Sequence, residues 1–423
     1  MSSIAMADTP PPALPVQTTS LKAQLRRAER LKKLRYGALI APLALFLIFT
    51  FLWPIIGLLN KAVDNPEVHT ALPATAKALA GWSQQGLPDE AAFTALQADL
   101  IRAKGSEELA AAAKRLNMER TGMRSLIMNS ARKLAAEPPT GPAKAALIEM
   151  DARWGESDTW QLVARNARPH TDHYLLTALD LRRDEAGNIV GAPEGEGVFL
   201  DVFGRTLWIS FVVTLCCCVL GFPVAYLLAR LPARTSNLLM ICVLLPFWTS
   251  ILVRVAAWIV ILQDGGLVNQ ALMALGVIDQ PLHLVFNRIG VYISMVHILL
   301  PFMILPLYSV MKGISPVYLR AAVSLGCPPF KSFWKVYFPM TVPGLAAGGI
   351  LVFILSIGYY ITPALLGGPK EQMVSYFVAF YTNETINWGM AAALSALLLV
   401  AISVLYTVYN RLVGNTTFAA KSR

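Results

Sequence analysis

The sequence predicts an all-α, polytopic membrane protein with six transmembrane helices and one mostly helical extracytoplasmic insertion. Its mean hydropathy is +0.53 and only 15% of its 423 residues are charged, whereas soluble domains carry about 25%. Six apolar runs each reach the roughly 20 residues that a helix needs to cross a bilayer. The runs are residues 38–59, 206–229, 239–262, 289–310, 343–366 and 390–412.

Residues 1–37 are predicted to form a basic, cytoplasmic N-terminal tail before the first transmembrane helix, 38–59. Residues 22–35 carry seven basic side chains, and 38–59 carry no charge. Basic residues concentrate on the cytoplasmic flanks of spans. A cleaved signal peptide is the alternative, but the run is longer than the apolar region of 7–15 residues in such peptides, and no small-residue cleavage site follows it.

Residues 60–200 are predicted to be the insertion, a segment large enough to form a domain. They carry a net charge of −3, whereas the rest of the chain carries +13. A basic excess around apolar segments indicates cytoplasmic flanks rather than nucleic-acid binding. Six spans with both termini inside place the insertion outside. The basic segments 230–238 and 312–342 and the tail 413–423 then lie in the cytoplasm.

The insertion is expected to be mostly helical, because residues 89–104 and 107–135 show apolar side chains near helical spacing. His170 and His173 are interpreted as solvated histidines, since no third ligand is in view. Cys216, Cys217 and Cys218 are consecutive, so their side chains point about 100° apart and cannot converge on one metal. We therefore expect no metal and no cofactor in this chain.

Residues 312–342 are predicted to form two short helices joined at a glycine. Ser315 and Pro316 are typical of a helix start, as N-cap and first helical residue. Gly326 can adopt the left-handed conformation that ends helices. Pro328 can open a second helix, which Pro339 is expected to stop.

One face of the second helix is predicted to be apolar. Phe330, Phe333, Trp334 and Tyr337 follow the spacing i, i+3, i+4 and i+7. The loop could be an ordinary connection between spans. Its length of about 30 residues argues against that, because most connections between helices are 2–8 residues long. We interpret it as a docking element for a soluble partner.

The same stretch resembles the Glu-Ala-Ala loop of permease subunits of ATP-binding-cassette (ABC) importers. That motif is Glu-Ala-Ala, three residues, Gly, nine residues, then Ile-x-Leu-Pro. This chain has Arg320-Ala321-Ala322, then Gly326 and Pro339 at the matching positions. The resemblance implies that residues 312–342 are a coupling loop that contacts an ATPase through these residues, Phe330 and Trp334. Arg320 reverses the usual charge at the Glu position.

Three further stretches are similar to permeases of the spermidine/putrescine type: residues 205–230, 244–270 and 359–373. The resemblance covers about 205–412 and the first span. It implies a type I ABC importer permease fold, with a permease core at 201–412 and a place in the bacterial inner membrane. The substrate implied is a small cationic amine such as putrescine or spermidine. An opine, an amino acid or another amine derivative is the alternative.

The resemblance also implies a set of partners. These are a dimer of ABC ATPases, a second permease subunit that is a different chain, and an extracytoplasmic substrate-binding protein. The chain has no Gly-x-x-x-x-Gly-Lys-Ser/Thr phosphate-binding motif, so ATP and Mg are expected on the ATPase and the chain is expected not to be an enzyme. An ion-coupled secondary transporter is the alternative from another class; it would show internal repeats and buried acids.

Candidate pathway residues lie toward the outer side. Arg254 lies inside the third run, where an unpaired charge is costly; we expect a structural or gating role, with Asp264 or backbone carbonyls as its partner. Acidic and aromatic side chains could bind a cation by ion pairing and cation–π attraction. These candidates are Trp248, Trp258, Asp264, Tyr359, Tyr360 and Glu371, with His297 as a weaker one.

Overall fold

The computed structural model describes residues 21–139, 141–184, 187–193 and 195–421. The predicted N-terminal tail up to residue 20 and the last two residues lie outside this part of the chain. The chain divides into two units after Gly57, and each is described by itself. Almost all of the regular structure is helical.

The first unit contains α1 (Leu21–Leu47), a π-helical turn (Ile48–Leu52) and the start of α2 (Trp53–Asn60). The stretch Lys32–Asn60 is long and apolar enough to cross a membrane. One helix runs from Leu21 through residue 38, so the predicted boundary between the tail and the first span lies inside a helix. The π turn directly precedes Pro54, which cannot donate to the carbonyl four residues earlier, and a wider turn relieves that clash.

The insertion consists of short helices and one β-hairpin. Its elements are α3 (Pro66–Ala71), α4 (Pro73–Leu79), α5 (Glu90–Arg102), α6 (Glu107–Glu119), α7 (Met123–Ala136), α8 (Ala143–Met150), a 3-10 turn (Ala152–Gly155), α9 (Ser157–Asn166), α10 (His173–Ala178), β1 (Leu181–Arg183) and β2 (Ile189–Gly191). The strands are antiparallel, with Arg182 opposite Val190. The prediction of a mostly helical insertion is confirmed. The predicted stretch 107–135 is split between Glu119 and Met123, and Gly122, with a φ of +93°, is the N-cap residue of the second helix.

The insertion has its own hydrophobic core, which α3 to α9 build around three aromatic side chains. Phe93, Trp154 and Trp160 are fully buried, and the Trp160 ring lies 4.4 Å from that of Phe93 and 5.7 Å from that of Trp154. Both indole N–H groups donate hydrogen bonds of 2.9 Å, to Ser130 Oγ and to the Trp154 carbonyl. Buried indoles need such partners, so this is the packing of a water-soluble domain.

The remaining helices lie in the region predicted to be the permease core and are called the core. Its elements are α11 (Phe199–Arg230), α12 (Ala233–Leu244), a 3-10 turn (Leu245–Trp248), α13 (Ile251–Leu262), α14 (Leu267–Ala274), α15 (Arg288–Gly313), α16 (Val317–Ser324), α17 (Pro329–Ser332), a π turn (Phe333–Tyr337), α18 (Phe338–Gly358), α19 (Ile361–Leu366), a 3-10 turn (Pro369–Glu371), α20 (Val374–Asn383) and α21 (Trp388–Lys421). Helix α21 runs through most of the predicted tail 413–423, up to Lys421.

Six helical stretches in the described residues are long and apolar enough to cross a membrane, which agrees with the predicted number. Two of the predicted runs are not continuous helices. Run 239–262 is interrupted by the 3-10 turn at Pro246 and by residues 249–250, and the apolar stretch continues to Ala274. Run 343–366 ends at Gly358 as a helix, and α19 is a separate element. Hydropathy alone did not show these breaks because apolar residues continue across them.

Helices α11, α15 and α18 pack closely because small residues lie at their contacts. A Cβ atom added at Gly221 of α11 would lie 2.9 Å from Met303 Cγ, and one at Gly348 of α18 would lie 2.8 Å from Met303 Sδ. One at Gly344 would lie 2.9 Å from Val310 Cβ. Glycines four residues apart let membrane helices approach closely. Met303 of α15 thus occupies a space that two glycines leave open.

The insertion is packed against the core. The Tyr174 ring of α10 lies directly over Gly389 of α21, where there is no room for a Cβ atom. Lys114 Nζ donates to the Thr385 carbonyl at 2.9 Å. The Asp180 carboxylate accepts the backbone N–H groups of residues 198, 199 and 200 at 2.7–3.0 Å. It thereby caps the N-terminus of α11, whose first N–H groups have no partner in the helix.

Candidate functional site

The coupling loop contains the expected helical elbow. Ser315 Oγ accepts the Val317 N–H at 3.3 Å, so Pro316 precedes the helix instead of being its first residue. At the other end, Gly326 has φ +85°. Its N–H donates to the Val323 carbonyl, and the Cys327 N–H donates to the Ala322 carbonyl. These two bonds form a Schellman motif, the arrangement for which glycine is best suited.

Pro339 does not stop the second loop helix as predicted. Helix α17 begins at Pro329, passes through the π turn Phe333–Tyr337 and continues into α18, so the stretch Pro329–Gly358 is one helical span. The wide turn accommodates the missing N–H and the ring of Pro339. No break in the helix therefore separates the second loop helix from this membrane-spanning stretch.

The predicted aromatic stripe divides into a buried half and an exposed half. The rings of Phe333 and Tyr337 lie 5.6 and 5.4 Å from the Tyr226 ring of α11. Phe330 is 75% exposed and Trp334 is 50% exposed. Sequence spacing cannot separate the two halves, because they differ only in which neighbouring helix covers them. The exposed pair is available for contact with another protein.

Arg254 of α13 has no ion pair or side-chain hydrogen bond within the part of the chain that the structure describes, and its Nε atom is buried. The predicted pairing with Asp264 is wrong, because Asp264 lies 3.0 Å from His283 Nδ1 instead. A charge without a partner at membrane depth is costly. The described residues supply no partner for this charge.

The predicted acidic ligands do not converge on one site. Glu371 accepts two hydrogen bonds from Arg288, with Nε–Oε2 at 2.7 Å and Nη2–Oε1 at 3.2 Å. A bidentate arginine already neutralises a carboxylate. Asp264 contacts only the exposed His283 and stays 56% exposed itself, so Glu371 is the acid that is already neutralised. Both pairs help to hold connections between helices.

Two of the aromatic candidates lie together, and two do not. Trp258 and Tyr359 pack against the same buried cluster, and Trp258 Nε1 lies 3.2 Å from His297 Nδ1. Trp248 is 77% exposed at the break before α13, and Tyr360 is exposed in the break after α18. Trp258, Tyr359 and His297 therefore form the polar and aromatic part of the membrane interior next to α13.

A second polar cluster ties the insertion together near its junction with the core. Arg115 is almost fully buried and donates to Glu119 at 2.8 Å and to Asn65 at 3.1 Å. Glu119 also accepts from Arg165 at 2.9 Å and lies 3.7 Å from His173 Nδ1. Burial alone would raise the pKa of Glu119, but Arg115 and its other cationic neighbours lower it.

The prediction that His173 is a solvated histidine is wrong. Burial, together with the charge of Arg115, lowers its pKa to about 4. No group of three or more metal-ligating side chains occurs in the described residues. His170 is exposed, and its backbone bridges to Asp64 at the base of the insertion. The two histidines therefore occupy different environments.

Comparisons with known proteins cover the core. Residues 221–417 match the family described as "Binding-protein-dependent transport system inner membrane component". The spermidine/putrescine transport system permease protein PotB of Escherichia coli is 34% identical over 214 residues, which cover 51% of this chain and 78% of PotB. The chain belongs to this family. It is thus a permease subunit of an ABC importer and a multi-pass inner-membrane protein.

Two further proteins are similar to this chain over about half of its length. The inner membrane ABC transporter permease protein YdcU of Escherichia coli is 31% identical over 226 residues, which cover 50% of this chain and 71% of YdcU. A bacterial alginate ABC transporter structure aligns with a TM-score of 0.43 at 17% identity, over 51% of this chain and 77% of that one. The family match leaves out the insertion.

Membership in the importer family decides against the ion-coupled secondary transporter. It implies an ATPase and a substrate-binding protein as partners. The Glu-Ala-Ala loop lies within the matched residues, and its elbow geometry requires Gly326. Several structural residues were missed from the sequence, among them Gly344 and Gly348. Their spacing of four within an apolar run was a signal that could have found them.

Proposed function

We propose that this permease imports a small cationic amine of the polyamine class, such as putrescine or spermidine. The observation that carries the proposal is the 34% identity with PotB, whose name states spermidine and putrescine transport. The similar stretches 244–270 and 359–373 contain Trp258 and Tyr359, which pack against the same buried cluster. Aromatic faces attract desolvated ammonium groups by about 2 kcal/mol.

The partners in this proposal are an ATPase dimer, a second permease of a different sequence and a binding protein. The ATPase carries ATP and Mg and performs all hydrolysis, while this chain has no catalytic role. The coupling loop faces the cytoplasm and the insertion faces outward. The exposed Phe330 and Trp334 pair would contact the ATPase, and the continuous span Pro329–Gly358 would carry its motion into the membrane.

Uptake of labelled putrescine and spermidine tests the substrate. Cells that carry the operon should accumulate at least one of them faster than cells that lack only this gene, and a plasmid copy of the gene should restore uptake. Agmatine and arginine serve as comparison solutes of related size. Unchanged uptake of both polyamines, with loss of uptake of another solute, would refute the assignment.

A second substrate class has one observation in its favour. Arg254 has no anionic partner in the described residues, and a guanidinium binds carboxylates well. An amine that also carries a carboxylate, such as an opine or an amino acid, would supply that partner. Arg254→Gln would then lower uptake of the carboxylate-bearing solute selectively. Equal effects on both solute classes would favour the structural role.

Coupling is tested by Gly326→Val with Gly313→Val as its matched control. A Cβ atom at either position meets no atom within 4 Å, but only Gly326 has a positive φ. A β-branched residue there costs roughly 1–2 kcal/mol and should misalign the elbow. Gly326→Val should insert normally, yet lose uptake and substrate-stimulated ATP hydrolysis. Wild-type uptake at matched expression would remove the coupling role from this loop.

Sidedness is tested by labelling cysteines in intact cells with a membrane-impermeant maleimide. Cys327 lies beside the elbow and is partly exposed. A variant that keeps only Cys327 should label only after the membrane is opened. A cysteine-free variant with Glu137→Cys in the insertion should label in intact cells. The opposite pattern would invert the proposed orientation.

A further inference from the structure

A groove lies beside the coupling loop, between the C-terminal ends of α11 and α15 and the helices α16 and α17. Its volume is about 980 Å³. Three basic side chains line it: Arg230 from α11, Lys312 from α15 and Arg320 from α16. We call this the basic groove. Three helices, α11, α15 and α16, bring these charges together.

The three bases have no ion pairs within the described residues. The Arg230 guanidinium lies over the Tyr226 ring at 4.2 Å and 5.8 Å from the centre of the Tyr337 ring. Stacking of this kind orients the guanidinium plane while its N–H groups remain available. Lys312 Nζ makes a long contact of 3.4 Å with the Ala229 carbonyl. Arg320 is exposed.

No carboxylate of the neighbouring chain segments can neutralise the basic groove. Residues 202–263 and 280–370 contain no Asp or Glu. The acids of the core lie at the other end of the helices, where Asp201 pairs with Arg205 and Glu371 pairs with Arg288. The groove therefore keeps its full positive charge unless another molecule supplies the anion.

The lining of this groove also includes a buried hydroxyl group that has no hydrogen-bond partner within the part of the chain that the structure describes. Ser332 of α17 lines it and is fully buried, and its Oγ has no hydrogen-bond partner in the described residues. Buried polar atoms in native proteins almost always have partners. A carboxylate in the groove could accept hydrogen bonds from the basic side chains that line it.

We propose that the basic groove receives an acidic side chain of the ATPase when that subunit docks on the coupling loop. The proposal rests on the proposed function, because it needs an ATPase at this face. Charge complementarity identifies the chemistry of the partner. Arg320 stands where the family motif has Glu, so the contact at this position has the reverse polarity and the ATPase contributes the acid.

The test uses the purified complex of this chain with its ATPase and second permease. Three variants each remove one groove charge: Arg230→Gln, Lys312→Gln and Arg320→Gln. Arg234→Gln is the control, because Arg234 is an exposed base on the same side that does not line the groove. Each groove variant should retain the ATPase about tenfold less well in a salt titration. The control should behave as wild type.

A zero-length carbodiimide crosslink identifies the acid directly. Lys312 in the wild-type complex, and residue 320 in the Arg320→Lys variant, should each join to an Asp or Glu of the ATPase, as read by mass spectrometry. Reversing the charge of that acid should weaken retention by wild type and rescue Arg320→Glu. Rescue by the swapped pair requires direct contact, which a purely structural role of Arg320 would not produce.

Three outcomes would overturn the inference. In the first, the wild-type complex retains the ATPase, and the groove variants retain it as well as Arg234→Gln does. This result would overturn the inference and leave the proposed function standing. Loss of co-purified anionic phospholipid from these variants, with the ATPase retained, would assign the groove to a lipid headgroup. A wild-type chain that retains no ATPase at all would overturn both proposals.

Discussion

The insertion and the permease core are both helical, but they place large and small residues in opposite ways. The insertion buries Trp154 and Trp160 at its centre, as water-soluble domains do. The core exposes large apolar side chains such as Trp208 and Phe211 on α11 and puts glycines at its tightest helix contacts. In lipid, burying apolar area supplies little driving force, so close approach of helices contributes more of the packing energy.

The two regions also differ in how they treat charge. The insertion buries Arg115 and Glu119 as a pair, and Asn65 and Arg165 add hydrogen bonds to this pair. The core keeps most of its charges near helix ends, and Arg254 has no hydrogen-bond or ion-pair partner within the described residues. Buried charge is tolerated only with partners. The insertion supplies such partners within itself, whereas the described part of the core supplies none for Arg254.

The largest effect on the stability of the core is expected from Gly348→Leu. Its new side chain would meet Met303 at 2.8–3.0 Å, whereas Gly349 on the same helix meets nothing within 4 Å. Overpacking costs about 1–3 kcal/mol and more where backbone is met. Gly348→Leu should abolish the monodisperse peak in detergent chromatography, and Gly349→Leu should preserve it. Equal behaviour of the two variants would contradict close packing of α15 and α18.

Within the insertion, the largest effect on stability is expected from Arg115→Leu. It leaves Glu119 buried with less compensation, which costs roughly 3–5 kcal/mol when one member of a buried pair is removed. Limited proteolysis should then cut the insertion while the core helices stay resistant. The double variant Arg115→Leu with Glu119→Leu should recover part of the resistance, since the buried carboxylate is gone and Arg165, which loses its partner, is partly exposed. A single variant as resistant as wild type would show that the network does not hold the insertion.

The two regions show how much of the structure could be predicted from the sequence and why the rest could not. The six spans follow from run length, because a backbone in lipid must satisfy its own hydrogen bonds. The elbow follows from Ser315 and Gly326, since capping is local in sequence. The pairs Glu371–Arg288 and Asp264–His283 were missed because residues far apart in the chain form them. The same holds for the burial of Tyr337, which depends on Tyr226 of another helix.

A smaller effect on stability is expected from lowering the pH, and only in the insertion. The His173 pKa falls from 6.5 to about 4 on folding, so the unfolded chain binds more protons than the folded one between these values. Stability of the insertion is therefore complete above pH 6.5 and declines as pH falls toward 4, by about 3 kcal/mol at most. Protonation of Glu119, whose pKa is also lowered, acts in the same direction at still lower pH.

Intrinsic tryptophan fluorescence during thermal melting measures this decline. The melting temperature of the transition reported by Trp154 and Trp160 should drop between pH 7 and pH 4.5. His173→Gln should show a shallower drop, because Arg115, Glu119, Arg165 and Asp172 remain but the proton-binding group is gone. An unchanged pH slope in His173→Gln would assign the decline to other groups.

The smallest effect on the core is expected from removal of the part of the insertion that forms its separate hydrophobic core. Residues 65 and 168 are already adjacent, since Asn65 Nδ2 donates to the Arg168 carbonyl at 3.2 Å and the Asn65 N–H donates to the Pro169 carbonyl at 2.9 Å. A short Gly/Ser linker can therefore replace residues 66–167. The excision removes the buried cluster around Trp160 but keeps Tyr174 over Gly389 and the Asp180 cap on α11.

We expect the shortened chain to insert, assemble and retain some uptake, because the family match covers residues 221–417 and leaves the insertion out. The same excision with Tyr174→Ala is the comparison, since it also removes the packing against α21 and should lower the melting temperature further. If the shortened chain assembles fully yet transports nothing, the insertion takes part in the pathway or in docking of the binding protein. The core would then need a water-soluble domain for transport, although its own helices supply the packing that holds it together.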